Sequence, residues 1–394
     1  MTSPSIRGRM VARNPSEPHR ASSPLELLFD LTFVVAISQV AAPLAARIAN
    51  GHGPDGIVPY LMVFFAIWWA WMNFTWFASA YDIDDVPYRL LTMLQMAGVL
   101  VLAAGVPAAF EGQDYVVATI GYLIMRVGLV SQWLRAGVEH PEGRVTAFRY
   151  AGGVTAVQIG WVARLALPPE FGVASFLVLA ILDLSVPLWA ERTGSTSWHP
   201  HHIAERYGLF TIILLGESVS AATIAVKGSL SATGVSAALV EVAAAGLVLL
   251  FALWWLYYLE PAGSGLAARR NRSFLWGYGH YVIFASLAAV GAALEVAVEH
   301  GAGESHISDA GAALALAVPV ALFLASLSAL HAPLVSRLAI RPAAVAIAAA
   351  LILAVPIAAP VIGMPSSVLA IALVAAALAA VTIADPRRRV GTTF

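Results

Sequence analysis

The sequence predicts an all-α fold, a polytopic transmembrane bundle of about 12 helices arranged as two parallel six-helix repeats, and three observations predict it. Of the 394 residues, 60% are hydrophobic and only 11% are charged, whereas a soluble domain carries roughly 25% charge, so a soluble enzyme of this size could not wet its surface. Apolar runs recur along the whole chain, each close to the roughly 20 helical residues that cross a hydrocarbon core of about 30 Å. The chain also repeats itself. The mean hydropathy of +0.80 belongs to the same picture.

The runs fall at 25–48, 57–80, 89–109, 115–136, 146–166, 172–190, 205–226, 234–259, 277–299, 309–331, 341–360 and 366–383. Helix breakers separate them, as in Asn50-Gly51-His52-Gly53-Pro54 and Pro168-Pro169. The first run opens on Ser23-Pro24-Leu25-Glu26, a capping box with Pro at the first helical position. Residues 1–24 form a polar tail with Arg7, Arg9, Arg13 and Arg20 and lack the apolar stretch of a signal peptide.

With that tail in the cytoplasm, 18 of the 22 basic residues fall inside, including Arg89, Arg135, Arg206, Arg269, Arg337 and Arg387 to Arg389. Arg47, Arg164 and Lys227 fall outside, and Arg126 lies within a span. This is the bias of the positive-inside rule and puts both termini in the cytoplasm.

The run Phe65-Ala66-Ile67-Trp68-Trp69 returns as Phe251-Ala252-Leu253-Trp254-Trp255, Glu26 with Leu31-Thr32 matches Glu205 with Phe210-Thr211, and Gln95 falls opposite His280. The organisation expected is a tail (1–24), a six-span repeat (25–190), a linker (191–204), a second six-span repeat (205–383) and a basic tail (384–394). Six is even, so the repeats enter the membrane from the same side, and functional sites in such proteins tend to lie between repeats.

With no cysteine, the chain can form neither disulfides nor thiolate metal sites. The net charge of -1 and the absence of a basic patch argue against nucleic acid as a partner. No hydrolase or nucleotide motif occurs in the spans, and no cofactor is expected. The bilayer is the expected partner; a small ion or solute and a homo-oligomer are compatible with the pattern.

A charge at the centre of a membrane helix costs about 2.5 to 3.5 kcal/mol, so Asp30, Arg126, Asp183 and Glu217 stand out. Arg126 is the natural counter-ion, with Glu217 or Asp183 as its expected partner. The cap alone accounts for Glu26, but it does not reach Asp30. His201, His202 and Glu205 are weak metal-ligand candidates, with His201 and Glu205 four residues apart. The acidic run Asp82-Ile83-Asp84-Asp85 followed by Arg89 reads as a solvated cytoplasmic loop or a docking ring.

Four stretches resemble one family, the bacterial low temperature requirement A proteins. They are Leu25 to Ser38, Tyr81 to Asp85 with Tyr88-Arg89, His202 to Ser218, and Trp254 to Tyr258. The usual aromatic at position 28 is Leu here. The resemblance implies a polytopic bacterial membrane protein of no settled activity, placed in the cytoplasmic membrane. It adds Glu26, Glu205 and Arg206 to the residues expected in an ion or solute pathway or buried charge network, and sets Asp82, Asp85, Arg89 and His202, with Asp84, in a cytoplasmic motif.

A fainter likeness links Phe29 to Ser38 with the signature of lysosomal-type potassium channels, though the central Ser of that signature is missing. The expectation is a transporter or channel with a polar site between the halves. A membrane enzyme with a metal near His202, Glu205 and Asp82 to Asp85, and a structural stress-adaptation protein, are the alternatives.

Overall fold

The computed structural model describes residues 6–385 apart from 19, 113, 260–261 and 336–337. Arg337 and Arg387 to Arg389 lie outside the described residues, as does nearly all of the expected basic tail. Every regular element among the described residues is helical. In order they are α1 (Pro24–Ala49), α2 (Gly53–Tyr81), α3 (Val86–Gly112), α4 (Val116–Glu139), α5 (Arg144–Ala163), α6 (Gly172–Ala190), α7 (Pro200–Thr233), α8 (Ala237–Tyr258), α9 (Ala262–Ala268), α10 (Ser273–Gly301), α11 (Asp309–His331) and α12 (Pro342–Ala384).

Among the described residues, ten helical segments are long and apolar enough to cross a membrane. The expected span 146–166 falls on α5, which is not among them. The runs 341–360 and 366–383 fall on the single 43-residue α12, interrupted at Gly363. There φ is +78°, a left-handed conformation that glycine adopts without a Cβ penalty. The surface is apolar, with Ile357 and Val361 82% and 88% exposed, as lipid-facing helices require.

The chain divides into two units, residues 1–40 with 62–206 and residues 41–61 with 207–394. In the first unit α3 packs on α4, α4 on α5 and α5 on α6. Helix α3 meets α4 at glycines: a Cβ on Gly121 would stand 2.3 Å from the Leu102 nitrogen. Lipid offers no hydrophobic drive between helices, so such small residues let backbones approach for van der Waals contact. Trp68, Trp69, Trp71, Phe74 and Phe77 of α2 fill the core of this unit. In the second unit α12 packs on α8 and α11, and α10 on α11.

Residues 6–18 and 20–23 run along the first unit, with contacts at the α2–α3 turn. Met10 is fully buried, Arg13 N–H donates to the Ala80 carbonyl at 2.9 Å, and Arg20 donates to the carbonyls of Ala78 and Ser79. The Arg20 guanidinium thus satisfies carbonyls at the end of α2, where the helix leaves acceptors over, and shares that of Ala78 with the Asp82 N–H.

Candidate functional site

Two helix starts build the main cluster. In α1, Ser23 and Glu26 form the reciprocal cap: Glu26 N–H donates to Ser23 Oγ at 3.3 Å and Ser23 N–H to Glu26 Oε2 at 2.8 Å. Asp30 follows one turn later on the same face. In α7, which opens on Pro200, the His202 N–H donates to His199 Nδ1 at 3.2 Å, and the His199 ring donates from Nε2 to the Glu17 carbonyl at 2.9 Å. Burial holds His199 below the usual histidine range, in keeping with this neutral tautomer.

His202 and Arg206 then share the buried face of α7. Arg206 donates from Nε to Asp30 Oδ2 at 2.9 Å, from Nη2 to Asp30 Oδ1 at 2.5 Å and from Nη1 to Glu26 Oε1 at 2.8 Å. Trp71 Nε1–H donates to Asp30 Oδ1 at 2.7 Å, and His202 Nε2 lies 3.2 Å from Glu26 Oε2. Glu26, Asp30, His202 and Arg206 are at most 1% exposed, so two carboxylates and one guanidinium sit together out of water. His202 Nδ1 is buried without a hydrogen-bond partner.

A second buried pair lies in the same unit. Arg126 stands 3.5 Å from Asp183, donates to the Tyr122 hydroxyl, and has its guanidinium 4.5 Å from the Tyr122 ring centre. Trp161 Nε1–H donates to Asp183 Oδ2 at 2.8 Å. Of the two expected partners of Arg126, Asp183 is the one it meets. Glu217 belongs to the other unit, half-buried on α7, where its charge acts on Glu295.

The acidic run does more than sit in solvent. Asp85 is fully buried, caps α3 by accepting from Tyr88 N–H, receives the Arg135 fork at 2.9 and 2.5 Å and accepts from Gly8 N–H at 2.9 Å. Burial raises its pKa, but Arg135 and the two amides outweigh burial and hold the carboxyl below the usual range. Asp82 is also buried, with Arg13 only at 3.8 Å; burial pushes its carboxyl up to about 6, and the Glu26 charge adds to the rise. Asp84 and Arg89 form an exposed pair at 2.7 Å, the one part of the run that fits the solvated reading.

The metal candidates do not converge. His201 and Glu205 share the exposed face of α7, while His202 turns inward to Glu26. Glu205 accepts from Ser22 N–H at 3.2 Å, and no group of three or more potential ligands is gathered among the described residues.

Sequence reasoning missed Arg206 as the counter-charge of Glu26 and Asp30. It also missed Trp71 as a neutral partner of Asp30, and Trp161 and Tyr122 as neutral partners of the Arg126–Asp183 pair. The available signal was the i, i+4 spacing of Glu26 with Asp30 and of His202 with Arg206, which gives each helix one polar face at its start.

The chain is similar to an uncharacterized protein of Rhizobium meliloti strain 1021, with 26% identity over 291 residues, covering 69% of this chain and 68% of the relative. Residues 21–382, which contain the buried Glu26–Asp30–Arg206 and Arg126–Asp183 groups, match the family described as bacterial low temperature requirement A protein. The chain is an integral membrane protein that belongs to this LtrA family.

Proposed function

We propose that the protein is a transporter or channel for a small ion in the bacterial cytoplasmic membrane, with the Glu26, Asp30, His202 and Arg206 cluster as a proton- or cation-binding station on its path. The observation that carries this reading is the charge count of a group removed from water. Two carboxylates face one guanidinium, and a buried net charge is costly, so one more positive charge balances the site. A proton on His202 or on a carboxyl supplies it, as does a bound cation.

Twelve crossings in two parallel repeats, with both termini in the cytoplasm, complete the proposal. Gly363 divides α12 into segments of 21 residues on either side, about 31 Å each at 1.5 Å per residue, which is one bilayer core apiece. The 20 residues of α5 match the same length.

A second reading has its own observation. Asp30 closes two arms of the Arg206 fork and Glu26 a third, as a staple between α1 and α7 would require. Proteoliposomes with a pH-sensitive dye inside and an imposed potassium diffusion potential separate the two. Proton or cation flux that Glu26→Gln and Asp30→Asn abolish, with helical content and elution profile unchanged, is the expected result; Glu217→Gln tests the α7 carboxylate in the same assay. Folded variants that conduct like the parent protein overturn the pathway and leave the staple.

A further inference from the structure

A cavity of about 60 Å³ lies in the first unit where α4 and α6 begin and α5 ends. Its walls include Tyr115, Thr119, Tyr122, Trp161, Arg164 and Phe176. Arg164 is 8% exposed, its guanidinium 4.7 Å from the Tyr115 ring centre and 5.9 Å from that of Phe176. It donates to neutral acceptors, among them Ser175 Oγ at 3.2 Å and the Gly172 carbonyl at 2.9 Å. Arg126, Arg135 and Arg206 each meet a carboxylate. Among the described residues, Arg164 has none within 4.0 Å.

Arg20, also buried and held by carbonyls, has the charges of Glu26 and Asp82 nearby; among the described residues no such charge acts on Arg164, and a guanidinium so far out of water calls for an anion. The surroundings say what carries it. Val117, Leu167, Phe171 and Val173, near the ends of the same helices, are 40 to 53% exposed, the surface that acyl chains cover rather than water. One water-sized group takes roughly 10 to 15 Å³ of such free space, so the cavity admits about four to six groups of that size, the beginning of one acyl chain.

We infer that this cavity is a binding site for an anionic membrane phospholipid, whose phosphate pairs with Arg164 while the first methylenes of one chain fill the aromatic-walled space. The inference is independent of the transport reading. Tyr122 and Trp161 line the cavity and also hydrogen-bond to the Arg126–Asp183 pair, so the bound lipid presses on the side chains that hold that pair.

The test uses native mass spectrometry of the full chain released from detergent, with phosphatidylglycerol and phosphatidylcholine of matched chains. The parent protein retains phosphatidylglycerol about tenfold better than phosphatidylcholine. Arg164→Gln erases that preference and Arg164→Lys keeps part of it. Ala66→Phe, which fills the cavity and leaves the charge, loses retention of both lipids. If Arg164→Gln does not fold, Arg164→Lys and Ala66→Phe carry the test. An unchanged lipid preference in Arg164→Gln, full retention in Ala66→Phe, or displacement of the lipid by an equal concentration of glycerol phosphate overturns the proposal. The last outcome marks a site for free anions.

Discussion

In the unit formed by residues 1–40 and 62–206, buried charges meet partners far away in sequence: Arg206 reaches Glu26 and Asp30, Arg126 reaches Asp183, and Arg135 reaches Asp85. Every buried Asp, Glu and Arg among the described residues lies in this unit. In the unit formed by residues 41–61 and 207–394, six buried hydroxyls and imidazoles turn back on their own helix. Thr211, Ser218, His280, His331, Ser367 and Thr382 each bond the carbonyl four residues earlier. A polar group satisfied locally says nothing about which helix packs where. A buried charge satisfied from 176 residues away, as in Asp30 with Arg206, fixes one helix against another.

The largest effect expected from this contrast follows Arg206→Met, which strands two carboxylates. Removing one member of a buried pair costs about 3 to 5 kcal/mol, read as a lower unfolding temperature in detergent or a collapse in folded yield. Adding Glu26→Gln and Asp30→Asn to the same chain recovers most of the loss. Equal damage with and without these two changes would break the comparison.

Asp82 gives an intermediate effect with a definite sign. Its folded pKa is raised to about 6 from the ordinary 3.8, so between these values the folded chain holds the proton more tightly than the unfolded one. Its contribution to stability therefore falls as pH rises from about 4 to about 6 and is constant above. Each tenfold difference in proton affinity is worth about 1.4 kcal/mol, and Asp82→Asn removes a fall of roughly 2 to 3 kcal/mol in unfolding scans across that window. A parallel pH dependence in parent and variant contradicts it.

The smallest effect belongs to the second unit. Thr211→Val loses a hydroxyl whose bond turns back on its own helix and leaves the Tyr207 carbonyl in its helical bond, so unfolding changes by about 1 kcal/mol or less. A loss near that of Arg206→Met would mean that local bonds organise this unit after all.

Much of the fold was legible because apolar length and helix punctuation are local properties. Pro24 and Ser23 mark the start of α1, and every predicted run lies on a helix. The site was legible only in part. A seventh span that starts at residue 205 puts Arg206 at the membrane edge among the cytoplasmic arginines. In the structure α7 starts at Pro200, which carries Arg206 a turn and a half inward to face Asp30. Glu26 was hidden for a different reason: its cap is real, and a complete local explanation gives no cue that Oε1 also holds a guanidinium.

The internal matches hide a difference too. Trp68 and Trp69 are each 1% exposed, whereas Trp254 and Trp255 are 44% and 49% exposed. Glu26 is buried in an ion pair while its match Glu205 faces outward. A matching stretch of sequence does not carry its surroundings with it, because burial depends on the helices packed alongside.

The central claim is that intramembrane charges persist here because they hold one another, and a double-mutant cycle between Arg206→Met and Asp30→Asn tests it most directly. Unfolding free energies of the parent, both single variants and the double variant give the coupling without reference to any assumed substrate. The account predicts that the double variant is more stable than the sum of the single losses implies, by about 2 kcal/mol or more. Losses that add to within about 0.5 kcal/mol would mean that each group is accommodated on its own, and would contradict the claim.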